Sequence, residues 1–270
     1  MINSVLKMSR FFQLQGLMEI IHRAAIRKRR ESIFYITKVF SPSDLLKLTL
    51  SDTDRCLVLA PHADDESIAL GGLLIQQPEV FDILCLTDCS TGNPEKPREE
   101  VVKERRGEFE QAMASIGVNS YRFNLEIPSD DLLNHYMEFE RILLQADLGR
   151  YSHVFLPHPF DQHPDHIAAA EHFHLFIRRQ MVPIRFKIAL FEVWTPMAMP
   201  NYFADISAVM NKKKELIGRY ISQVNRIDYA GRISGLNNYR GMIPHVKYAE
   251  CFQLMTAREY TRLPINSIRC

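Results

Sequence analysis

The sequence predicts an α/β fold: a parallel sheet with helices on both faces, preceded by a helical extension. Two observations carry that expectation. From Arg55 onward, short apolar runs alternate with segments of helical length and pattern. Charge gathers just beyond two of those apolar runs, at "PHADDE" and "HPFDQHPDH", where a sheet of this kind holds its ligands.

Residues 1–50 read as the extension and residues 51–270 as the main domain. In "FFQLQGLMEIIHRAAIRKRR", Phe11, Leu14, Met18, Ile21 and Ala25 recur at helical spacing, and a basic run from Arg27 to Arg30 follows. Such a helix either docks on the main core, its basic end favourable to the helix dipole, or lies at the surface of an anionic membrane as a peripheral contact.

The regular pattern then begins. "RCLVLA" is a buried strand and "ESIALGGLLIQQ" a helix; "FDILCLTD" is a second strand. "PREEVVKERRGEFEQAMASIG" is a long helix closed by Gly117, a natural residue just past a helix end. "SYRFNLE" is a third strand, "DDLLNHYMEFERILLQAD" a helix, "YSHVFLPH" a fourth strand, "PDHIAAAEHFHLFIRRQM" a helix and "FKIALFEVW" a fifth strand. Past Thr195 the pattern loosens, with one further helix near "SAVMNKKKELIGRYISQ".

Composition excludes several classes. The chain has 270 residues, 46% hydrophobic and 24% charged, with a formal net charge of +1. These are ordinary globular values and make no electrostatic case for nucleic acid. The five cysteines are odd in number and form no C-x-x-C pair, which fits a reducing, cytoplasmic setting. No run of about 18 apolar residues suggests a spanning helix, and no secretory leader is expected. A dinucleotide site is also excluded. The first turn lacks G-x-G-x-x-G and is acidic, so it would repel phosphates. Gly71 and Gly72 instead read as a place where helix and sheet pack closely.

The charged turns carry the chemistry. Asp64, Asp65 and Glu66 alone would serve as a helix cap, but a cap does not explain His62 beside them. The second turn, His158 to His166, holds three histidines and two aspartates in nine residues. Two strand ends rich in imidazole and carboxylate suit zinc or another divalent cation. Pro164 suits a first helical turn, so His163 and His166 share one side of it. Asp64 and Asp65 are adjacent and diverge. His62, Asp65 and His166 would supply two nitrogens and one oxygen to a cation. Asp64 would then be free to take a proton from the attacking water, and His163 to steady an oxyanion or protonate a leaving amine.

At these residues the sequence resembles the LmbE-like, or PIG-L, deacetylase family, which carries P-H-x-D-D-E after its first strand and H-P-D-H after a later one. Here they read "PHADDE" and "HPDH", with Ala63 where the family usually has proline. "ERRGEFEQAMASIGV" and "LTDCSTGN" are similar to the family's second helix and second-strand loop. The resemblance spans roughly residues 55–225. It implies a Rossmann-like fold without a nucleotide, and a zinc-dependent hydrolase that removes acetyl groups from N-acetylglucosamine-type sugars or cleaves related amides. It carries the metal ligands to His62, Asp65 and His166, the general base to Asp64 and the electrophilic histidine to His163. Asp165 and Glu66 are expected as supports behind the ligands.

Further candidates are Asp88, Arg105, Arg106 and His158 as substrate contacts, and Trp194 as a surface on which a sugar could stack. His172 and His174 are expected not to be ligands. Two alternative functions stay open at this point. One is an amidase acting on a thiol conjugate or an antibiotic intermediate. The other is a non-catalytic glycan-binding protein on a retired hydrolase fold.

Overall fold

The computed structural model describes residues 45–179 and 184–265. The chain divides into two units, and the elements below belong to the unit Pro42–Thr261. The expected basic helix of the N-terminal extension falls on residues 1–44 and so lies outside the described residues.

The five expected strands are all present: β2 (Cys56–Ala60), β3 (Phe81–Cys85), β4 (Ser120–Phe123), β5 (His153–Pro157) and β6 (Lys187–Phe191). They pair in parallel in the order β4-β3-β2-β5-β6. Both faces of β2, β3 and β5 are buried, which is why their sequences read as continuous apolar runs rather than alternating ones. The helices between them are α1 (Asp65–Gln76), α2 (Arg98–Ile116), α3 (Tyr136–Gln145) and α4 (Pro164–Arg179). Helix α2 ends as its sequence demands. Gly117 takes φ 82, and the Val118 N–H closes back onto the Met113 carbonyl at 3.1 Å. Helix α3 is shorter than expected, because the segment before it forms a 3-10 turn at Leu132–Asn134.

The sheet continues beyond the five expected parallel strands and is mixed there. Beyond β6 lie β8 (Ala249–Thr256), β7 (Tyr202–Asp205) and β1 (Leu46–Lys47), and β8 runs antiparallel to both of its neighbours. Strand β1 pairs with β7, so the sheet begins before residue 51. The helix expected over 207–223 divides into α5 (Met210–Ile217) and α6 (Ile221–Val224); α7 (Tyr229–Arg240) and the single turn α8 (Ala257–Tyr260) complete the described elements. None of the described helices is long and apolar enough to cross a membrane.

Val58, Leu70, Phe81, Phe109, Phe155 and Phe252 are fully or almost fully buried in one core. Burial of each such side chain is worth about 1.5–3 kcal/mol. Gly72 has the packing role expected of it: a Cβ there would overlap the Ile206 side chain. Helix α1 is thereby held against the sheet, and its first turn is fixed at the end of β2. The order of strands reverses between β2 and β5, whose registers match Leu57 with Val154 and Val58 with Phe155. The two charged turns are therefore neighbours at the switch point of the sheet, about a hundred residues apart in sequence.

Candidate active site

The turn after β2 brings charge into the site by an unusual backbone path. Asp64 has φ 128, a conformation that costs a non-glycine residue about 1–3 kcal/mol. Its N–H is held by Glu66 Oε2 at 3.0 Å, and its carbonyl starts helix α1 by accepting from Ile68 N–H at 2.8 Å. Its side chain makes no cap bond and lines a cavity instead.

Three atoms from two turns converge. Asp65 Oδ2 lies 3.3 Å from His62 Nδ1 and 3.1 Å from His166 Nε2. Ligand atoms around a four-coordinate cation with bonds of about 2.0–2.1 Å stand at about this spacing. The far nitrogen of each ring meets a different carboxylate. His62 Nε2 is 2.9 Å from Asp165 Oδ2, and His166 Nδ1 is 3.4 Å from Asp161 Oδ2. A proton on each far nitrogen leaves His62 Nδ1 and His166 Nε2 with free lone pairs aimed at the same place. His166 is wholly buried, yet neither of its nitrogens has a hydrogen bond of sound geometry. Two imidazole nitrogens, one carboxylate oxygen and a buried, unsatisfied ring together fit a divalent cation of the zinc type.

His163 also comes close, its ring 4.6 Å from that of His62, and a nitrogen of each of His62, His163 and His166 falls within 4.8 Å of the others. Hydrogen bonding separates its role. Nδ1 of His163 accepts from the Asp165 N–H at 3.2 Å, so the proton of the neutral ring sits on Nε2, 3.7 Å from Asp130 Oδ1. That ring offers a proton, whereas Asp65 offers an oxygen between two bare nitrogens.

Electrostatics follow burial and neighbours. Burial raises the Asp64 carboxyl to about 7, against the pull of the Arg105 guanidinium 3.0 Å from Oδ2. Burial also works against ionised Asp65, but His166 and His62 outweigh it and hold its pKa far below the usual range. Burial lowers the pKa of His163, with the neighbouring histidines adding to the effect. Adjacent carboxyls thus sit in opposite states of proton affinity.

The remaining sequence candidates sort cleanly. Asp165 ties the site together, accepting from His62, from Asp130 N–H at 2.7 Å and from Leu132 N–H at 3.1 Å. Glu66 supports the turn and also accepts from the Tyr220 and Ser67 hydroxyls. Arg105 is buried at the site, donating to the Ala63 carbonyl and paired with Asp64. Arg106 is not at the site: it is exposed on α2 and bonds Glu110 at 2.8 Å. Asp88 lies behind the wall, binding Arg98 and the N–H groups of Ser90 and Ser129. His158 is a turn residue, tied to the Thr195 carbonyl at 2.7 Å and the Phe160 N–H at 3.2 Å. Neither is among the residues that line the cavity. His172 and His174 bond backbone carbonyls at Leu132 and Thr261 and line no part of the cavity.

The cavity holds about 480 Å³ and is lined by, among others, Asp64, His163, Trp194, Gln223, Arg226 and Tyr229. Asp161, Arg226 and Tyr229 were not among the sequence candidates. Asp161 stood in the charged turn and carried a signal; the other two lie in the irregular region past Thr195 and carried none.

A model of the PIG-L family, described as GlcNAc-PI de-N-acetylase, matches residues 57–175. Among solved structures, an N,N'-diacetylchitobiose deacetylase from Pyrococcus horikoshii is 21% identical. The match covers 80% of this chain and 88% of that one, with a TM-score of 0.66. The conserved protein TT1542 from Thermus thermophilus is 25% identical over 73% of this chain and 92% of its own, with a TM-score of 0.57. A 4-carboxy-2-hydroxymuconate hydratase from Pseudomonas putida is 19% identical over 75% of this chain and 96% of its own, with a TM-score of 0.54. One fold thus carries more than one reaction, and the site must decide between them.

Proposed function

We propose that the protein removes the acetyl group from an N-acetyl sugar or glycoconjugate with the help of a zinc-type cation, a reading supported by the match of residues 57–175 to the PIG-L family model. One observation carries the reading: His62 Nδ1, Asp65 Oδ2 and His166 Nε2 converge beside the Asp64 carboxyl, which Arg105 pairs, and a proton-bearing imidazole.

His62, Asp65 and His166 hold the cation, which when bound supplies Lewis acidity to water and to the acetyl carbonyl. Asp64 takes the proton of the attacking water on a carboxylate oxygen. Arg105, 3.0 Å from its Oδ2, fixes its orientation. His163 presents Nε2–H to the developing oxyanion as a hydrogen-bond donor and keeps that proton, and the proton taken up by Asp64 passes to the leaving amine nitrogen, which returns Asp64 to a carboxylate. Asp165 and Asp161 keep the two ligand rings turned so that a bare nitrogen faces the cation. The intact acid–base set favours an enzyme over a retired binding fold. The cavity is of a size to hold a sugar unit, with Trp194 exposed at its wall for stacking.

Metal analysis of the purified protein, paired with acetate release from a panel of N-acetyl sugars, tests the proposal. The expected result is near-stoichiometric zinc, with acetate released in proportion to amine formed. Acetate released at an undiminished rate after complete removal of the metal would sink it.

A further inference from the structure

Next to the catalytic cavity lies a second one of about 450 Å³. Five residues line both: Ile68, Val193, Trp194, Ile227 and Tyr229. The second cavity continues along Pro196, Ile233 and Leu236, and Arg232 is its one charged lining residue. Two of its lining residues, Ile68 and Ile233, belong to a small core cluster with Ile217. The boundary between the two is aromatic. The rings of Trp194 and Tyr229 meet edge to face at 5.9 Å, and Trp194 lies 6.3 Å from His163. Trp194 is 46% exposed, a large share for an indole flanked by two cavities.

The chemistry of the two cavities differs. The first is lined by carboxylates, imidazoles and Arg226, and suits a sugar bearing an amide. The second offers almost only aliphatic and aromatic carbon. A free sugar in the first would leave that apolar wall in water.

We propose that the second cavity is an aglycone subsite and that the substrate is an N-acetyl glycoside bearing an apolar group. The acetamido sugar occupies the catalytic cavity, and its apolar substituent crosses the Trp194–Tyr229 boundary into the annex. This rests on the deacetylase reading above, and the continuity of the two cavities argues for one two-part ligand. Leu236 and Pro196 line the annex only, so they select the substituent without touching the amide.

The test measures acetate released by the zinc-loaded full chain from N-acetylglucosamine and from its phenyl and hexyl β-glycosides. Each methylene buried in an apolar site is worth roughly fourfold in affinity. With partial burial, kcat/KM rises by about ten- to a hundredfold from the free sugar to the hexyl glycoside. Leu236→Asp brings that ratio back toward one. The unmodified protein supplies a second measurement that needs no variant: hexyl glucoside, which has no amide, competes with substrate, and methyl glucoside at equal concentration does not. Equal kcat/KM for the free sugar and both glycosides would overturn the subsite and leave the deacetylase standing. The same flat ratio results if a second copy or another segment of the chain fills the annex. Acetate from none of the three would overturn the deacetylase reading instead. Calorimetric binding of hexyl over methyl glucoside then decides the annex separately, its absence ending the proposal.

Discussion

Two clusters of buried charge adjoin helix α1, one at its first turn and one at its middle, and they are built on opposite rules. Lys213 and Glu250 pair at 2.7 Å with no solvent exposure of either side chain. Lys213 Nζ also donates to Asn237 Oδ1 at 3.0 Å. Glu250 accepts from the Gly72 and Leu73 N–H groups at 2.7 and 3.1 Å, and Asn237 donates to the Ala249 carbonyl at 3.0 Å. This network is closed by the protein itself and joins α1, α5, α7 and β8. At the other cluster, carboxylates crowd two histidines, and the buried ring of His166 has carboxylate oxygens at 3.1 and 3.4 Å from its nitrogens but no hydrogen bond of sound geometry. Burial and charge alone do not separate a structural cluster from a reactive one; completeness does. A closed network anchors the fold, and a cluster short of partners marks where an outside ion or molecule belongs.

The comparison can be broken by exchanging outcomes between the clusters. The largest expected effect is on Asp64→Asn. It lowers acetate release by about 10²–10⁴-fold while bound zinc stays as it was, and acetate released at the unmodified rate would remove Asp64 from the reaction. Lys213→Met comes next. It strands a buried carboxylate and costs about 3–5 kcal/mol in urea unfolding, while the folded fraction still binds zinc. Asp161→Asn removes the partner of His166 Nδ1 and weakens zinc binding by about 10–100-fold in competition with a chelator. The smallest effect belongs to Arg106→Ala, on an exposed pair with Glu110. Stability changes by less than about 0.5 kcal/mol and acetate release is unchanged.

The reactive cluster was far more legible in the sequence than the structural one. His62, Asp64, Asp65, His163 and His166 lie in two short turns whose composition no cap or solvated loop explains. The five parallel strands were legible for a related reason: buried on both faces, they read as unbroken apolar runs. Strand β8 was not, because "AECFQLMT" carries the buried Glu250 and Gln253, which break the apolar run and find partners only after folding. Lys213 sat in a "KKK" run that reads as a solvated face, and tertiary packing buried one lysine of the three. Arg105 and Arg106 differ by one step around a helix. Only the placement of Asp64 and Tyr220 decides that the first is enclosed and the second exposed. Helix α7, with two glycines and a weak apolar face, announced neither itself nor Tyr229 at the cavity.

The place of β8 has a consequence for the order of assembly. It follows the other seven strands in sequence but stands between β6 and β7 in the sheet. Until Ala249–Thr256 has emerged from the ribosome, β7 and β1 have no backbone partner linking them to the rest, and the edge of β6 is open. Nascent chains halted before residue 249 are therefore expected to stay protease-sensitive at β1 and β7, and release past residue 256 to protect both at once.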